Sequence, residues 1–149
     1  MFFLQKSLCF IICLLWFSLG FAGINNPLII NFSKTQYGAA NKNWSISEDE
    51  HGILYFGNDI GLLEFDGIEW KLNKLPKAEV VRSVYVVSNN EIYTGGYEEF
   101  GKWSRQPDGE LTYTSLSKEL PTDNWQNDDI WRILPQGESI YFQSFSGIF

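Results

Sequence analysis

Beyond the first two dozen positions, the dominant pattern along the chain is one of short apolar runs rich in β-branched and aromatic residues, broken by turn formers. Ile53 to Phe56 (ILYF), Val80 to Val87 (VVRSVYVV), Glu91 to Thr94 (EIYT) and Ser139 to Phe145 (SIYFQSF) have the composition and length of strands. Between such runs lie Asp66-Gly67, Asn89-Asn90, Gly95-Gly96 and Pro107-Asp108-Gly109, each of which predicts a tight turn. No stretch keeps apolar residues at i, i+3, i+4 and i+7 over three turns, so no amphipathic helix is expected. The pattern predicts an all-β chain of consecutive hairpins.

The runs repeat. Trp44-Ser45-Ile46, Arg82-Ser83-Val84 and Trp131-Arg132-Ile133 align with one another, and Tyr55-Phe56-Gly57, Tyr93-Thr94-Gly95 and Tyr141-Phe142-Gln143 then fall into register after nine, nine and eight residues. A small or polar turn separates the two blocks each time. The spacing is 38 residues from Ile46 to Val84 and 49 from Val84 to Ile133, the period of β-propeller blades, which run about 40–50 residues with four strands each. In the first unit the strands are expected at Trp44 to Glu48, Ile53 to Gly57, Gly61 to Phe65 and Glu69 to Leu72. The second unit repeats them through Glu99 to Trp103 and Leu111 to Ser115, and the third breaks off at Phe149 inside its third strand. The fold expected is thus all-β: about three blades of four-stranded antiparallel sheet, a fragment of a β-propeller preceded by a signal peptide. Blade 1 spans residues 44–75, blade 2 residues 80–117 and an incomplete blade 3 residues 130–149. Residues 23–43 form an N-terminal segment, in which Leu28 to Phe32 is an apolar run of the right length to pair with a distant last blade and close the ring.

The first 22 residues change the charge and redox arithmetic. Lys6 followed by the apolar run Ser7 to Ala22, with Gly20 and Ala22 as a small-x-small site, is too short for a membrane span of about 20 apolar residues and reads as a cleavable export signal, residues 1–22. What remains has ten basic against eighteen acidic residues, a net charge of −8. Such a balance repels phosphate backbones, so no direct nucleic-acid binding by this segment is expected. Both cysteines, Cys9 and Cys13, leave with the signal, which removes disulfides, thiol catalysis and Cys-based zinc sites. His51 is the only histidine, which excludes His-paired triads and multi-His metal centres. No cofactor, metal or catalytic residue is expected.

A resemblance narrows the family. Asp49-x-x-Gly52-Ile53-Leu54-Tyr55-Phe56-Gly57-Asn58-x-x-Gly61-Leu62-Leu63-Glu64-Phe65-Asp66-Gly67 resembles the two-component-regulator propeller repeat, departing from it at Tyr55, Asn58 and Glu64. Together with Asn43-Trp44-Ser45-Ile46 and Gly96-Tyr97-Glu98-Glu99-Phe100-Gly101, it is similar to the opening of the large Bacteroidetes-type sensor regulators. The resemblance implies a periplasmic sensory propeller, part of an inner-membrane-anchored protein. A triple-tyrosine (Y_Y_Y) domain, a membrane helix and a LuxR-type or histidine-kinase output would lie C-terminal to the residues present. It also implies a homodimer in the full-length protein and an oligosaccharide, a polysaccharide fragment, as ligand. The reading from another class is a secreted propeller enzyme acting on glycans.

The repeat alignment places Trp44, Arg82 and Trp131 just before the innermost strand of each unit, facing the mouth of the channel where propellers bind ligands. Two indoles and a guanidinium there offer stacking surfaces and a fork of donors, suited to sugar rings and acidic groups. The competing expectation is packing between blades, with Arg82 paired to Glu79 or to an acid of a neighbouring blade. Glu98 and Glu99 resemble a catalytic carboxylate pair, but adjacent residues on a strand point to opposite faces and do not flank one bond. Glu48-Asp49-Glu50 and Asp128-Asp129 lack the spacing of a calcium loop and read as solvated turns. Asn31-Phe32-Ser33 and Asn43-Trp44-Ser45 match the glycosylation sequon, an accidental match in a bacterial exported protein.

Cleavage is expected between Ala22 and Gly23. Intact-mass measurement of exported material checks it, and membrane-bound protein that keeps Met1 would contradict it.

Overall fold

The computed structural model describes residues 27–76, 80–121 and 127–149; the expected export signal at 1–22 and the acid Glu79 lie outside the described residues. The chain divides into two compact units, residues 1–31 and 32–149. In the first, residues 27–31 have no regular structure, and Leu28, Ile29 and Ile30 are exposed. No helix among the described residues is long and apolar enough to cross a membrane.

The second unit is all-β. Strands β1 (Asn43–Glu48), β2 (Leu54–Asn58), β3 (Gly61–Phe65) and β4 (Trp70–Asn73) pair antiparallel in sequence order, as do β5 (Val81–Ser88), β6 (Glu91–Gly96), β7 (Glu99–Arg105) and β8 (Leu111–Ser115). Strands β9 (Arg132–Gln136) and β10 (Ser139–Gln143) form a third hairpin. Beyond it, Phe142 and Phe149 exchange backbone hydrogen bonds of 3.0 and 2.9 Å, and Gln143 forms an isolated antiparallel bridge with Ile148. The aligned positions are the paired ones: Ile46 faces Phe56, Val84 faces Thr94 and Ile133 faces Phe142.

One expectation fails for an identifiable reason. Gly95-Gly96, expected as a turn, lies inside β6. A Cβ on Gly95 would sit 2.4 Å from Ile130 Cγ2, and one on Gly96 2.1 Å from the Val80 carbonyl, so these glycines serve close approach and the turn falls at Tyr97-Glu98. Among the described residues there is also a 3-10 turn at Ser117–Glu119 and one short α-helix, α1 (Lys34–Tyr37). Its first turn is held by Gln36 Oε1, which accepts the Ser33 N–H at 2.8 Å, and it ends at Gly38 with φ 63°. Four residues are too few to leave a periodic signal.

Alternation along the strands gives each sheet two apolar faces. Tyr55 and Leu62 of the first sheet meet Ile92 and Trp103 of the second in one buried cluster, with Val84, Val86 and Tyr113 around it. Phe100 on the opposite face of the second sheet meets Ile130, Ile133 and Phe142 in another, where the Phe100 and Phe142 rings stack at 4.3 Å. The far face of the first sheet carries Phe65 stacked on Trp70 at 4.2 Å, with Phe32 edge-on to both.

The first interface also encloses charge. Arg105 Nη2 donates to Glu64 Oε1 at 2.7 Å and to the Tyr55 hydroxyl at 2.9 Å, while its Nε reaches Asn89 Oδ1 and its Nη1 the Gly109 carbonyl. Burial pushes the Tyr55 phenol well above its ordinary range against the opposing Arg105 charge, so it stays a donor and bonds Asp49 Oδ2 at 3.1 Å. The Glu64 side chain is 10% exposed and that of Arg105 15%, so removing one partner strands the other in a dry site.

Arg105→Ala is expected to destabilise the fold by about 3–5 kcal/mol. Adding Glu64→Leu should recover part of that loss, since the stranded carboxylate is then gone. Urea midpoints of the two variants decide it, and equal losses would place the effect on the Asn89 and Gly109 bonds instead.

Candidate functional site

The site begins with a repeated irregularity. Asn43 pairs with Asn58 and Ser45 with Gly57, so Trp44 is an extra residue with no partner opposite; Val81 pairs with Gly96 and Ser83 with Gly95, which leaves Arg82 extra in the same way. Each is a β-bulge, a device that turns one side chain out of the regular alternation. Trp44 and Arg82 are therefore inside their strands rather than before them. Trp131 directly precedes β9, and its N–H donates to the Gln143 carbonyl at 2.8 Å.

All three residues come together. The Arg82 guanidinium lies 3.8 Å from the Trp44 ring centroid and 5.5 Å from that of Trp131, and the two indoles are 6.4 Å apart and edge-on. Arg82 Nε pairs with Asp129 Oδ1 at 3.1 Å, an acid from the segment that leads into β9. Its Nη1 is buried with no hydrogen-bond partner. Trp44 Nε1 donates to Asp59 Oδ1 at 2.7 Å, and Lys42 Nζ stands 5.3 Å from the same ring. Arg82 thus lies against both indoles and pairs with an acid of the segment that leads into β9. The indoles remain 39% and 37% exposed, leaving ring surface open to a ligand. Cation–π contacts of this kind are worth about 0.5–2 kcal/mol and hold the rings in place.

The acids nearby have structural duties. Asp128 is buried, not a solvated turn residue. Burial works against its charge, yet Ser146 Oγ at 2.7 Å, the Ser144 hydroxyl and the N–H groups of Ser146 and Phe145 hold its carboxyl down at about 2. Asp49 is likewise buried, accepting the N–H groups of His51 and Ile53 and closing the β1–β2 turn. Glu98 and Glu99 are kept apart, but by the turn and not by strand alternation: Glu98 lies in the β6–β7 turn and accepts the Asn127 N–H, while Glu99 opens β7 and accepts the hydroxyls of Tyr113 and Ser115 at 2.9 and 2.6 Å. Among the described residues no three His, Cys, Asp or Glu side chains gather as metal ligands. A shallow depression of about 520 Å³ lined by Lys34, Thr35, Gly38, Ala39, Ala40 and Ile60 adjoins the β2–β3 turn.

Sequence reasoning missed the residues at the tips of the turns. Counting from the repeat alignment, Asp59, Tyr97 and Phe145 are equivalent: Asp59 and Tyr97 directly follow β2 and β6, and Phe145 follows β10 by two residues, after Ser144, whose N–H bonds the Gly147 carbonyl. Asp59 bonds Trp44, and Phe145 packs on Trp131 at 5.5 Å. Tyr97 bridges to Asp129, the partner of Arg82. Compared with protein-family models, with curated proteins and with solved structures, the chain gives no match.

The depressed Asp128 pKa fixes a direction for acid. Its contribution is complete above the ordinary 3.8 of an aspartate and is lost as pH falls from there toward about 2. Thermal midpoints between pH 6 and 2 should therefore fall more steeply in the wild type than in Asp128→Asn, which starts lower. Parallel curves would mean the carboxylate does not hold the turn.

Proposed function

We propose that residues 44–75, 80–117 and 130–149 are successive blades of an extracytoplasmic sensory β-propeller, non-enzymatic, and that it binds an oligosaccharide released from a polysaccharide. In this reading residues 1–22 direct export, residues 28–32 supply a ring-closing strand, and the propeller belongs to an inner-membrane-anchored, homodimeric regulator. Its triple-tyrosine and output domains, which pass the signal on, lie outside these residues. The blade reading is supported by sheets of equal register packed face to face.

One observation carries the ligand reading: Trp44, Arg82 and Trp131, equivalent by repeat and the first two turned out of strand alternation by bulges, converge into one stack with open indole faces. Bulges cost ladder hydrogen bonds, and their recurrence at one place in two sheets points to a shared use for the side chains they turn out. Aromatic faces match the apolar C–H faces of sugar rings. Arg82, with Asp129 on its Nε, serves to space and orient the indoles.

Affinity electrophoresis of the full chain through gels containing galacturonan, xylan, laminarin or chondroitin sulfate tests this. Retardation is expected with at least one polymer and is lost in Trp44→Ala and Trp131→Ala. Unretarded migration with all four, or retardation unchanged in both variants, would overturn the reading.

A further inference from the structure

We infer that Asp59, Tyr97 and Phe145 form a second contact row beside the Trp44–Arg82–Trp131 stack, so that the ligand is an extended chain of rings read across the sheets and not a single ring. The inference rests on the oligosaccharide reading above and adds specificity-determining residues to it.

The register places the second row without any appeal to side-chain type. Asp59 and Tyr97 directly follow the strands that pair with the bulged β1 and β5, and Phe145 lies two residues beyond β10, whose last residue accepts the Trp131 N–H, so each stands near the Trp44, Arg82 or Trp131 of its own repeat. Side-chain contacts link Trp44 with Asp59 and Trp131 with Phe145, and the backbone of Tyr97 bridges that of Asp129, whose carboxylate pairs with Arg82. Two parallel rows result, one pair per sheet. A single sugar ring fills one stacking position, whereas positions recurring from sheet to sheet are filled only by a ligand that itself repeats.

The tips are open yet braced. Phe145 is 85% exposed and Tyr97 45%, but neither turn is slack. Asp128 accepts the Phe145 and Ser146 N–H groups, and Tyr97 donates to Asn127 Oδ1 at 3.0 Å. Next to Tyr97, Glu98 and Asn127 are held at φ 50° and 56°, a conformation that non-glycine residues adopt at a cost and keep only where the surroundings impose it. Glu98 N–H is bound to the Asp128 carbonyl at 2.9 Å and the Asn127 N–H to the Glu98 carboxylate. Exposed rings on preorganised turns lose little freedom on binding, which favours their use as contacts. Asp59, whose free oxygen is not taken by Trp44, adds an acceptor for a sugar hydroxyl at the end of the row.

The test uses the polymer, among the four named, that retards the full chain, hydrolysed to fragments of one to six rings and titrated calorimetrically. Affinity is expected to rise over several rings. Phe145→Leu and Tyr97→Ala should each weaken the longer fragments about tenfold, the effect of losing a contact of roughly 1.4 kcal/mol, with the shortest binding fragment unaffected. Tyr97→Phe, which keeps the ring and loses only the Asn127 bond, should bind as the wild type does. If single rings bind as tightly as six, or if the variants weaken all lengths alike, the second row is wrong while the oligosaccharide reading stands. If none of the four polymers retards the chain, both fall together.

Discussion

One steric constraint orders the molecule: the second strand of a sheet must leave a notch for the chain that opens the next. Gly57 makes the first notch, where a Cβ would lie 2.7 Å from the Val81 carbonyl, and Gly95 the second, where it would meet Ile130 at 2.4 Å. Opposite each glycine stands a serine, Ser45 or Ser83. The Ser83 hydroxyl donates to the Ile130 carbonyl at 2.9 Å, whereas that of Ser45 is buried without a partner, so it is the close backbone approach and not the hydroxyl that the two repeats share. Any side chain at these glycines would push the entering strand away, and the apolar faces behind it would lose contact over their whole length.

The alignment of the candidate site follows from the same notches. Val81 and Ile130, the residues received there, immediately precede Arg82 and Trp131, so docking one residue fixes where the next emerges. Trp44, Arg82 and Trp131 then succeed one another at a separation set by the sheet-to-sheet spacing. A stack of aromatic and guanidinium groups needs such a spacing, since its energy falls off once the groups leave contact. The arrangement of the trio is a by-product of packing, anchored on the core beneath it.

How much of this the sequence discloses depends on range. Strands, their pairing partners and the trio Trp44, Arg82 and Trp131 were legible because each repeat carries them at nearly the same interval, and an interval survives when individual residues change. Tyr97 and Phe145 lie on that same interval, but with Asp59 as their counterpart no common residue type marks the position. Gly95-Gly96 misled because glycine serves both turns and close contacts, and only the neighbouring chain tells the two apart. Arg105 and Glu64, 41 residues apart, form an ion pair that no local pattern encodes. Asp128 looked like a solvated acid, because its hydrogen-bond donors come from a turn 18 residues further on.

The distribution of charge completes the division of labour. The segment is strongly acidic, yet the buried acids are each spoken for: Glu64 by Arg105, Asp49 by a turn and Tyr55, Asp128 by the 144–147 turn. Burying a carboxylate is tolerable only where donors replace its water; for Glu64 they come from the neighbouring sheet, for Asp128 from the 144–147 turn, and for Asp49 from its own turn and the strand after it. The acids therefore work as local fasteners at turns and interfaces, which leaves the exposed end free for rings. Indole and phenyl faces stay open to water there on a chain whose anionic charge resists self-association. The same net charge that argues against a nucleic-acid ligand thus also keeps the exposed aromatic surface from collapsing onto a second copy.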